Sequence, residues 1–202
     1  MLKYVIKDIN DISPEEYTKS YSNMSESRRA KVDRLKNEIH KKCTLAGELL
    51  AKQLLSEISG KSFESLTFYA DKYGKLHSET TPDLHFNISH SRNMVAVAIC
   101  HNPVGIDIEV FHPVSARLSR KFCSFDELCY IFGKTPTDED FEKDLCPQSL
   151  IKFFEIWTIK EACFKCIGTG ITEFSKVNAL SLDFNKTRIE TYDYILHIIT
   201  SE

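Results

Sequence analysis

The 202-residue sequence predicts an α+β fold made of two similar parts, 1–103 and 104–202. Three observations carry this prediction. Two long helical stretches stand out, near 39–58 and 149–167. Short apolar or alternating runs of strand length follow each of them. The order, helices first and antiparallel strands after, recurs in both halves without any repeat in the sequence itself.

Taken in order, a strand is expected near 2–7 and a short helix over 14–21. Ser25 is a natural N-cap for the next helix. The stretch 39–58 carries Leu45, Leu49, Leu50, Leu54 and Leu55 at helical spacing, an apolar stripe for a core. Strands are expected near 66–70, 84–89, 94–100 and 104–110. Helices follow near 114–122 and 124–132, then an exposed acidic loop from Thr137 to Asp144 that carries no chemistry. After the helix at 149–167, strands are expected near 179–182, 187–191 and 194–199.

Composition narrows the function classes. With 42% hydrophobic and 27% charged residues, the chain reads as an ordinary soluble globular protein. A net charge of −3 does not suggest wholesale nucleic-acid binding. The start, Met1 to Asp8, is too short and too charged for a signal peptide and reads as the first strand. No apolar run approaches the roughly 18 residues of a membrane helix. Seven cysteines in scattered apolar contexts point to a reducing cytoplasm. Cys163 and Cys166 form a CxxC pair, but no second pair stands at zinc spacing and a helix crosses it. Charge is uneven along the chain. Between Glu26 and Lys42, seven basic residues face three acidic ones, a local excess of +4. Such a run is either a solvated helix face or a site for phosphate or an acidic partner.

The chemistry is concentrated in three segments. The first is Val104-Gly105-Ile106-Asp107-Ile108-Glu109. In a strand, residues i and i+2 share a face, so Asp107 and Glu109 project together while Ile106 and Ile108 enter a core. Two acids in an apolar run are costly unless paired, and a divalent cation is an efficient partner. An edge strand with a solvated polar face is the alternative. The second segment, Trp157-Thr158-Ile159-Lys160-Glu161-Ala162-Cys163-Phe164-Lys165, places Trp157, Glu161 and Lys165 in one helical stripe. A surface Glu161–Lys165 pair with Trp157 as a core anchor is the bland account, and it leaves Lys160 unexplained. Carboxylates suit Mg²⁺ and lysines suit phosphate, so together they point to a metal-bound polyphosphate. The third segment is Phe86-Asn87-Ile88-Ser89-His90-Ser91. Its hydroxyl, amide and imidazole groups at a strand end suit a phosphate oxygen, or else form a polar strand–loop boundary.

In this order, Asn-Ile-Ser-His-Ser, Gly-Ile-Asp-Ile-Glu and Trp-Thr-Ile-Lys-Glu-Ala-x-x-Lys, the chain resembles the 4′-phosphopantetheinyl transferase superfamily. More narrowly it resembles the long type that activates carrier domains of peptide and polyketide synthetases. The likeness runs from about Ser25 to Ile171. A weaker fourth piece is Tyr73-Gly74-Lys75-Leu76, where the family usually has Gly-Lys-Pro, so a looser turn is expected. Gly168-Thr169-Gly170-Ile171 matches the family's glycine-rich exit from the helix.

The resemblance implies two α+β subdomains about a pseudo-twofold axis, each a small antiparallel sheet packed with a long helix, with the site in the cleft between them. It implies transfer of the 4′-phosphopantetheine arm of coenzyme A to a serine hydroxyl of an apo acyl or peptidyl carrier protein, with release of 3′,5′-adenosine bisphosphate. Mg²⁺ (or Mn²⁺) would be held by Asp107, Glu109 and Glu161. Glu161 is the expected general base, with Glu109 as rival. Lys160 and Lys165 would contact the pyrophosphate. Arg28, Lys31, Thr44 and His90 would hold the 3′-phosphate, and Tyr73, Gly74, Lys75 and Ser89 would line the adenine and phosphate region. Cys43 stands where many relatives carry a basic residue, with Lys41 and Lys42 available to compensate. An active monomer meeting its carrier one to one is expected, steered by Arg29, Arg34 and Lys41. The alternatives are a catalytically weak coenzyme A-binding module that docks carrier proteins, and an unrelated Mg²⁺-dependent phosphohydrolase. The three ordered motifs discriminate against the second.

Overall fold

The chain lays down one order of elements twice, a strand, three helices and a strand hairpin, with an extra short strand pair in the first set, as seen in a computed structural model whose described residues are 1–168, 174 and 177–201. The first set comprises β1 (Lys3–Asp8), α1 (Pro14–Ser22), α2 (Glu26–Asp33), α3 (Glu38–Ser59), the short β2 (Phe68–Ala70) and β3 (Leu76–Ser78), β4 (His85–Ser91) and β5 (Met94–Cys100). The second comprises β6 (Val104–Val110), α4 (Ala116–Phe122), α5 (Phe125–Phe132), α6 (Pro147–Ile167), β7 (Asn185–Glu190) and β8 (Tyr194–Thr200). The main sheets have strand orders β1-β5-β4 and β6-β8-β7. In both, a first strand, a long helix and a terminal hairpin fold so that the last strand lies in the middle. Every pairing in these two sheets is antiparallel.

Local chemistry accounts for the long helices. In α3, Asn37 caps the N-terminus by accepting from the backbone N–H groups of Ile39 and His40, and Gly60 ends it at φ 71°. Leu49, Leu50 and Leu55 are buried, as their spacing predicts, in one core with Val95, Val97 and Ile99 of β5, while Leu45 is buried against Met24 and Val32. In α6, Pro147 occupies the first turn and Gly168 takes the left-handed conformation at the end. Its inner face meets β6 at Gly105. A Cβ on that glycine would sit 1.9 Å from the Ala162 carbonyl oxygen and 2.4 Å from the Cys166 backbone nitrogen. Glycine is therefore required, and it brings the α6 backbone against β6 and its carboxylates.

Between the two sheets lies a third core, in which Ala96, Ala98 and Cys100 of β5 meet Ile106 and Ile108 of β6 and Leu196 and Ile198 of β8. Ile106 and Ile108 are wholly buried, as the alternation predicts.

The departures from expectation are local. Residues 179–182 are not a strand. Asn178 instead closes a turn there, accepting from Leu180 N with its side chain (3.0 Å) and from Ser181 N with its carbonyl (3.2 Å). The acidic loop contains a 3₁₀ turn, Asp138–Phe141, whose Phe141 is buried. Ser25 precedes α2 without giving it a side-chain cap. The short β3 was not expected. Its neighbouring turn is tight despite Leu76. Asp71 exchanges backbone bonds with Gly74 and Lys75, and its carboxylate accepts from Tyr73 N (2.9 Å) and Lys75 N (3.0 Å). An Asx turn thus supplies the rigidity that the family's proline would give.

Candidate active site

The carboxylates gather where β4, β6 and α6 meet. β4 and β6 belong to different sheets and share no backbone ladder. Their side chains bridge instead. Asn87 Oδ1 accepts from Ile106 N (2.9 Å), Ser89 Oγ from Ile108 N (3.4 Å) and Ser91 Oγ from Val110 N (3.1 Å). The Asn-x-Ser-x-Ser pattern therefore joins the two halves. Ser89, expected against coenzyme A, is 5% exposed and donates to Asp107 Oδ1 at 2.8 Å. Ser91 donates to Glu109 Oε2 at 2.7 Å.

Helix α6 adds Glu161 and Lys165, one turn apart. Lys165 Nζ reaches Asp107 Oδ1 (2.6 Å), Ser89 Oγ (3.2 Å) and the Ile106 carbonyl (3.3 Å). Asp107 is 4% exposed, and its Oδ2 is buried without any hydrogen-bond partner. The Glu109 carboxyl is pushed up to about 7, by burial first and then by the charge of Asp107. Glu161 is also pushed up to about 7, chiefly by burial, with Asp107 and Glu109 adding to it and Lys165 opposing. These three acids feel one another's charge. Yet among the described residues no three His, Cys, Asp or Glu side chains stand close enough to hold a metal ion as they are placed. Lys165 occupies the Asp107 oxygen that faces it.

Lys160 departs from expectation. Its side chain is wholly buried in the second half, where Nζ donates to Glu127 Oε2 (2.6 Å) and to the carbonyls of Phe122 (3.0 Å) and Phe174 (3.1 Å). One residue along a helix is a turn of about 100°, so Lys160 and Glu161 project from different faces of α6. Lys160 is a structural ion-pair partner, out of reach of any pyrophosphate in the cleft. Glu127 repays this with bonds from Ser124 N (2.6 Å) and Ala179 N (2.6 Å). Trp157 packs between Phe174 (4.9 Å) and Phe122 (5.2 Å), a core anchor.

The remaining expected residues line two adjoining cavities. The first is bounded by Arg28, Lys31, Thr44, Gly74, Lys75 and His90, with Cys43, Glu48, Asn87 and Ile88 among its other walls. The second shares Gly74, Lys75, Asn87 and Ile88 with it and adds Tyr73, Glu161, Phe164, Lys165 and Gly168. Together they run from the basic α2 to the acidic cluster. Several of these groups are already engaged. Arg28 is buried and donates through Nε to Glu48 Oε1 at 2.6 Å, with a second contact from Nη2. Thr44 Oγ donates back to the His40 carbonyl at 2.9 Å. Lys75 Nζ docks on the C-terminal carbonyls of α6, Lys165 foremost, and burial lowers its pKa. His90 is exposed, with its ring 5.9 Å from that of His40. Desolvation, and then the charges of His40 and Lys165, lower its pKa. Cys43 is wholly buried, donates to the Arg92 carbonyl at 3.4 Å, and has its thiol pushed up to about 11 by burial. Lys41 and Lys42 line a separate groove with Ile12, Pro14 and Tyr17, so they do not stand in for a basic residue at Cys43. Of the Gly168–Ile171 exit, Thr169, Gly170 and Ile171 lie outside the described residues.

The signal for the β4–β6 bridge was in the sequence as two period-two patterns, one polar and one acidic. Glu127 gave no such signal, because a lone Glu in a helix N-terminal turn reads as an ordinary capping residue.

Fold and site define an α+β protein in which two small antiparallel sheets, each with a long helix, meet along β4 and β6 beside two adjoining cavities lined by basic and acidic side chains. Residues 103–199 match the model of the 4′-phosphopantetheinyl transferase superfamily, and residues 11–102 match that of the 4′-phosphopantetheinyl transferase N-terminal region. The chain is 30% identical over 187 residues to the 4′-phosphopantetheinyl transferase gsp of Aneurinibacillus migulanus, covering 93% of this chain and 73% of that one. It is 32% identical over 163 residues to Sfp of Bacillus subtilis (strain 168), covering 80% and 67%, and 32% identical over 149 residues to psf-1 of Bacillus pumilus, covering 74% and 60%. A holo-(acyl-carrier-protein) synthase from Bacillus anthracis, solved with CoA (3′,5′-ADP), aligns at 22% identity and a TM-score of 0.40 over 48% of this chain and 91% of its own. The chain belongs to the 4′-phosphopantetheinyl transferase superfamily, and within it to the Sfp-like type. No helix among the described residues is long and apolar enough to cross a membrane.

Proposed function

We propose that this chain moves the 4′-phosphopantetheine arm of coenzyme A to a serine hydroxyl of an apo carrier protein in a Mg²⁺-dependent reaction, releasing 3′,5′-adenosine bisphosphate. The observation that carries this reading is the pair of adjoining cavities. They link the α2 residues Arg28 and Lys31 to Glu161 and Lys165, as a ligand with a phosphate at one end and a pyrophosphate further along requires.

The donor set suits a hard cation. Asp107 Oδ2 is buried and unpartnered, and burial together with the neighbouring carboxylates makes Glu109 and Glu161 hold protons unusually tightly, a charge conflict that a cation would relieve. Asp107, Glu109 and Glu161 would hold the ion. When bound, it would neutralise charge on the pyrophosphate.

The chain's own residues supply the rest. Lys31 and His90 bind the 3′-phosphate, with Arg28 contributing what its pairing to Glu48 leaves free. Tyr73 and Gly74 border the adenine end. Lys165 exchanges its bond to Asp107 for the pyrophosphate and stabilises the charge that develops on the leaving oxygen. Glu161 accepts the serine proton. Positioned base catalysis of this kind is worth about 10²–10⁴-fold. Glu109 is the rival base. Residues 1–103 and 104–202 act as two subdomains of one active monomer, and all seven cysteines are free thiols, which suits a reducing cytoplasm.

Mass spectrometry of several apo carrier proteins incubated with the chain, coenzyme A and Mg²⁺ tests the proposal. At least one carrier should gain one phosphopantetheine, chelator should stop the reaction, and Asp107→Ala should be inert yet folded. No modified carrier, or full activity of Asp107→Ala under chelator, would overturn it.

A further inference from the structure

We infer that Ser91 is a positioning residue, which fixes the side chain of Glu109 for cation binding by bridging it to the backbone of its own strand. The inference rests on the metal reading proposed above and adds a residue to it.

The argument begins with the hydroxyl group. It has one proton to donate and two lone pairs to accept with. Ser91 Oγ accepts the Val110 N–H at 3.1 Å, which leaves its proton for an acceptor, and Glu109 Oε2 lies 2.7 Å away. A rigid element thus holds each end of the bridge. Ser91 sits on β4, paired with Met94 across the hairpin, and Val110 is the last residue of β6. Ser89 repeats the arrangement one step back, with Ile108 N and Asp107, which shows that strand register sets the pattern.

The two bridges differ in one respect. Asp107 Oδ1 is also held by Lys165, which touches Ser89 as well. Lys165 makes no such bond to Ser91 or Glu109. Asp107 therefore keeps a charged tether if its serine is lost, whereas Glu109, with a longer and more mobile side chain, keeps only the neutral donor of the Trp157 side chain and loses its link to the β6 backbone. Removing a group that orients a metal ligand typically costs 10–100-fold in affinity.

The test is Mn²⁺ binding to the whole chain without substrate, read by electron paramagnetic resonance, together with amide hydrogen exchange at Val110. Ser91→Ala should weaken Mn²⁺ by about tenfold and speed exchange at Val110. Ser91→Thr, which keeps the hydroxyl, should restore both. Ser91→Cys, close in shape but a poor donor, should weaken Mn²⁺ as alanine does and serves if the alanine variant does not fold. Faster exchange with unchanged Mn²⁺ affinity would reduce Ser91 to a link between the halves and overturn the inference, as would a loss that threonine does not repair. A wild-type chain that binds no Mn²⁺ would instead remove the metal reading, and this inference with it.

Discussion

Lys160 Nζ lies 2.6 Å from Glu127 Oε2, and both side chains are completely shielded from water. The pair holds four pieces of chain together: α6, the start of α5, the Phe122 carbonyl at the end of α4, and the segment containing Phe174 and Ala179. Removing one partner of such a pair strands the other charge in the interior, at a cost of about 3–5 kcal/mol. Lys160→Met is expected to lose stability of that order in denaturant unfolding. Lys160→Met combined with Glu127→Leu is expected to lose less than the single change. A single variant as stable as the wild type would refute the structural role.

For the 3′-phosphate, Arg28 and Lys31 are expected to behave differently. Arg28 is the buried partner of Glu48, so Arg28→Ala should destabilise the fold as well as weaken the ligand. Lys31→Ala should leave stability nearly unchanged. A charge-assisted hydrogen bond is worth roughly 1.5–3 kcal/mol, so coenzyme A should bind this variant about 10–100-fold more weakly, with little change for dephospho-coenzyme A. Calorimetry with the two ligands reads this directly, and equal weakening of both would move Lys31 out of the phosphate site.

His197 makes the fold sensitive to acid. It is 2% exposed on the central strand β8, its Nδ1 lies 2.7 Å from Thr158 Oγ1, and burial, then the charges of Arg188 and Lys186, pushes its pKa down to about 3. The unfolded chain titrates this group near 6.5. Above that pH neither state binds the proton and stability is unaffected. As pH falls from about 6.5 towards 3, only the unfolded chain takes it up, which costs about 1.4 kcal/mol per pH unit. Unfolding of wild type and His197→Gln should therefore show a stability gap that changes in the variant's favour between pH 7.5 and 5.5. Parallel pH profiles would mean that the imidazole does not carry the effect.

Gly105→Ala places a methyl group against the backbone of α6, 1.9 Å from the Ala162 carbonyl oxygen. A main chain cannot rotate aside as a side chain can. Overpacking of this kind costs at least about 1–3 kcal/mol, and the shift should loosen the Lys165–Asp107 contact. Reduced unfolding stability with faster amide exchange in α6 is expected. Unchanged values for both would show that the helix accommodates the methyl.

The periodic features of the chain were legible. The leucines of α3 and the isoleucines of β6 bury the faces their spacing predicts, because a long amphipathic element has only one way to satisfy its pattern. Lys165 also reaches Asp107, and the charges of Asp107 and Glu109 act on Glu161, on the elements the motifs mark. Lys160 was misassigned because adjacency in sequence suggests a shared task, while helical geometry turns neighbours about 100° apart onto different faces and the partner, Glu127, lies 33 residues away. Arg28 was expected to hold the 3′-phosphate, and its pairing with Glu48 is a tertiary contact that local sequence does not encode. The expected strand at 179–182 gave way to a turn set by the Asn178 side chain and carbonyl.

The seam between β4 and β6 also bears on how the molecule behaves in a crowded solution. A strand at the border of a sheet ordinarily presents a row of free N–H groups on which another chain can grow. In β6 the N–H groups of Ile106, Ile108 and Val110 are already taken by Asn87, Ser89 and Ser91. The same three polar side chains that join the halves therefore close this border to intermolecular strand addition, and a variant that empties them would expose a sticky edge as well as loosen the seam.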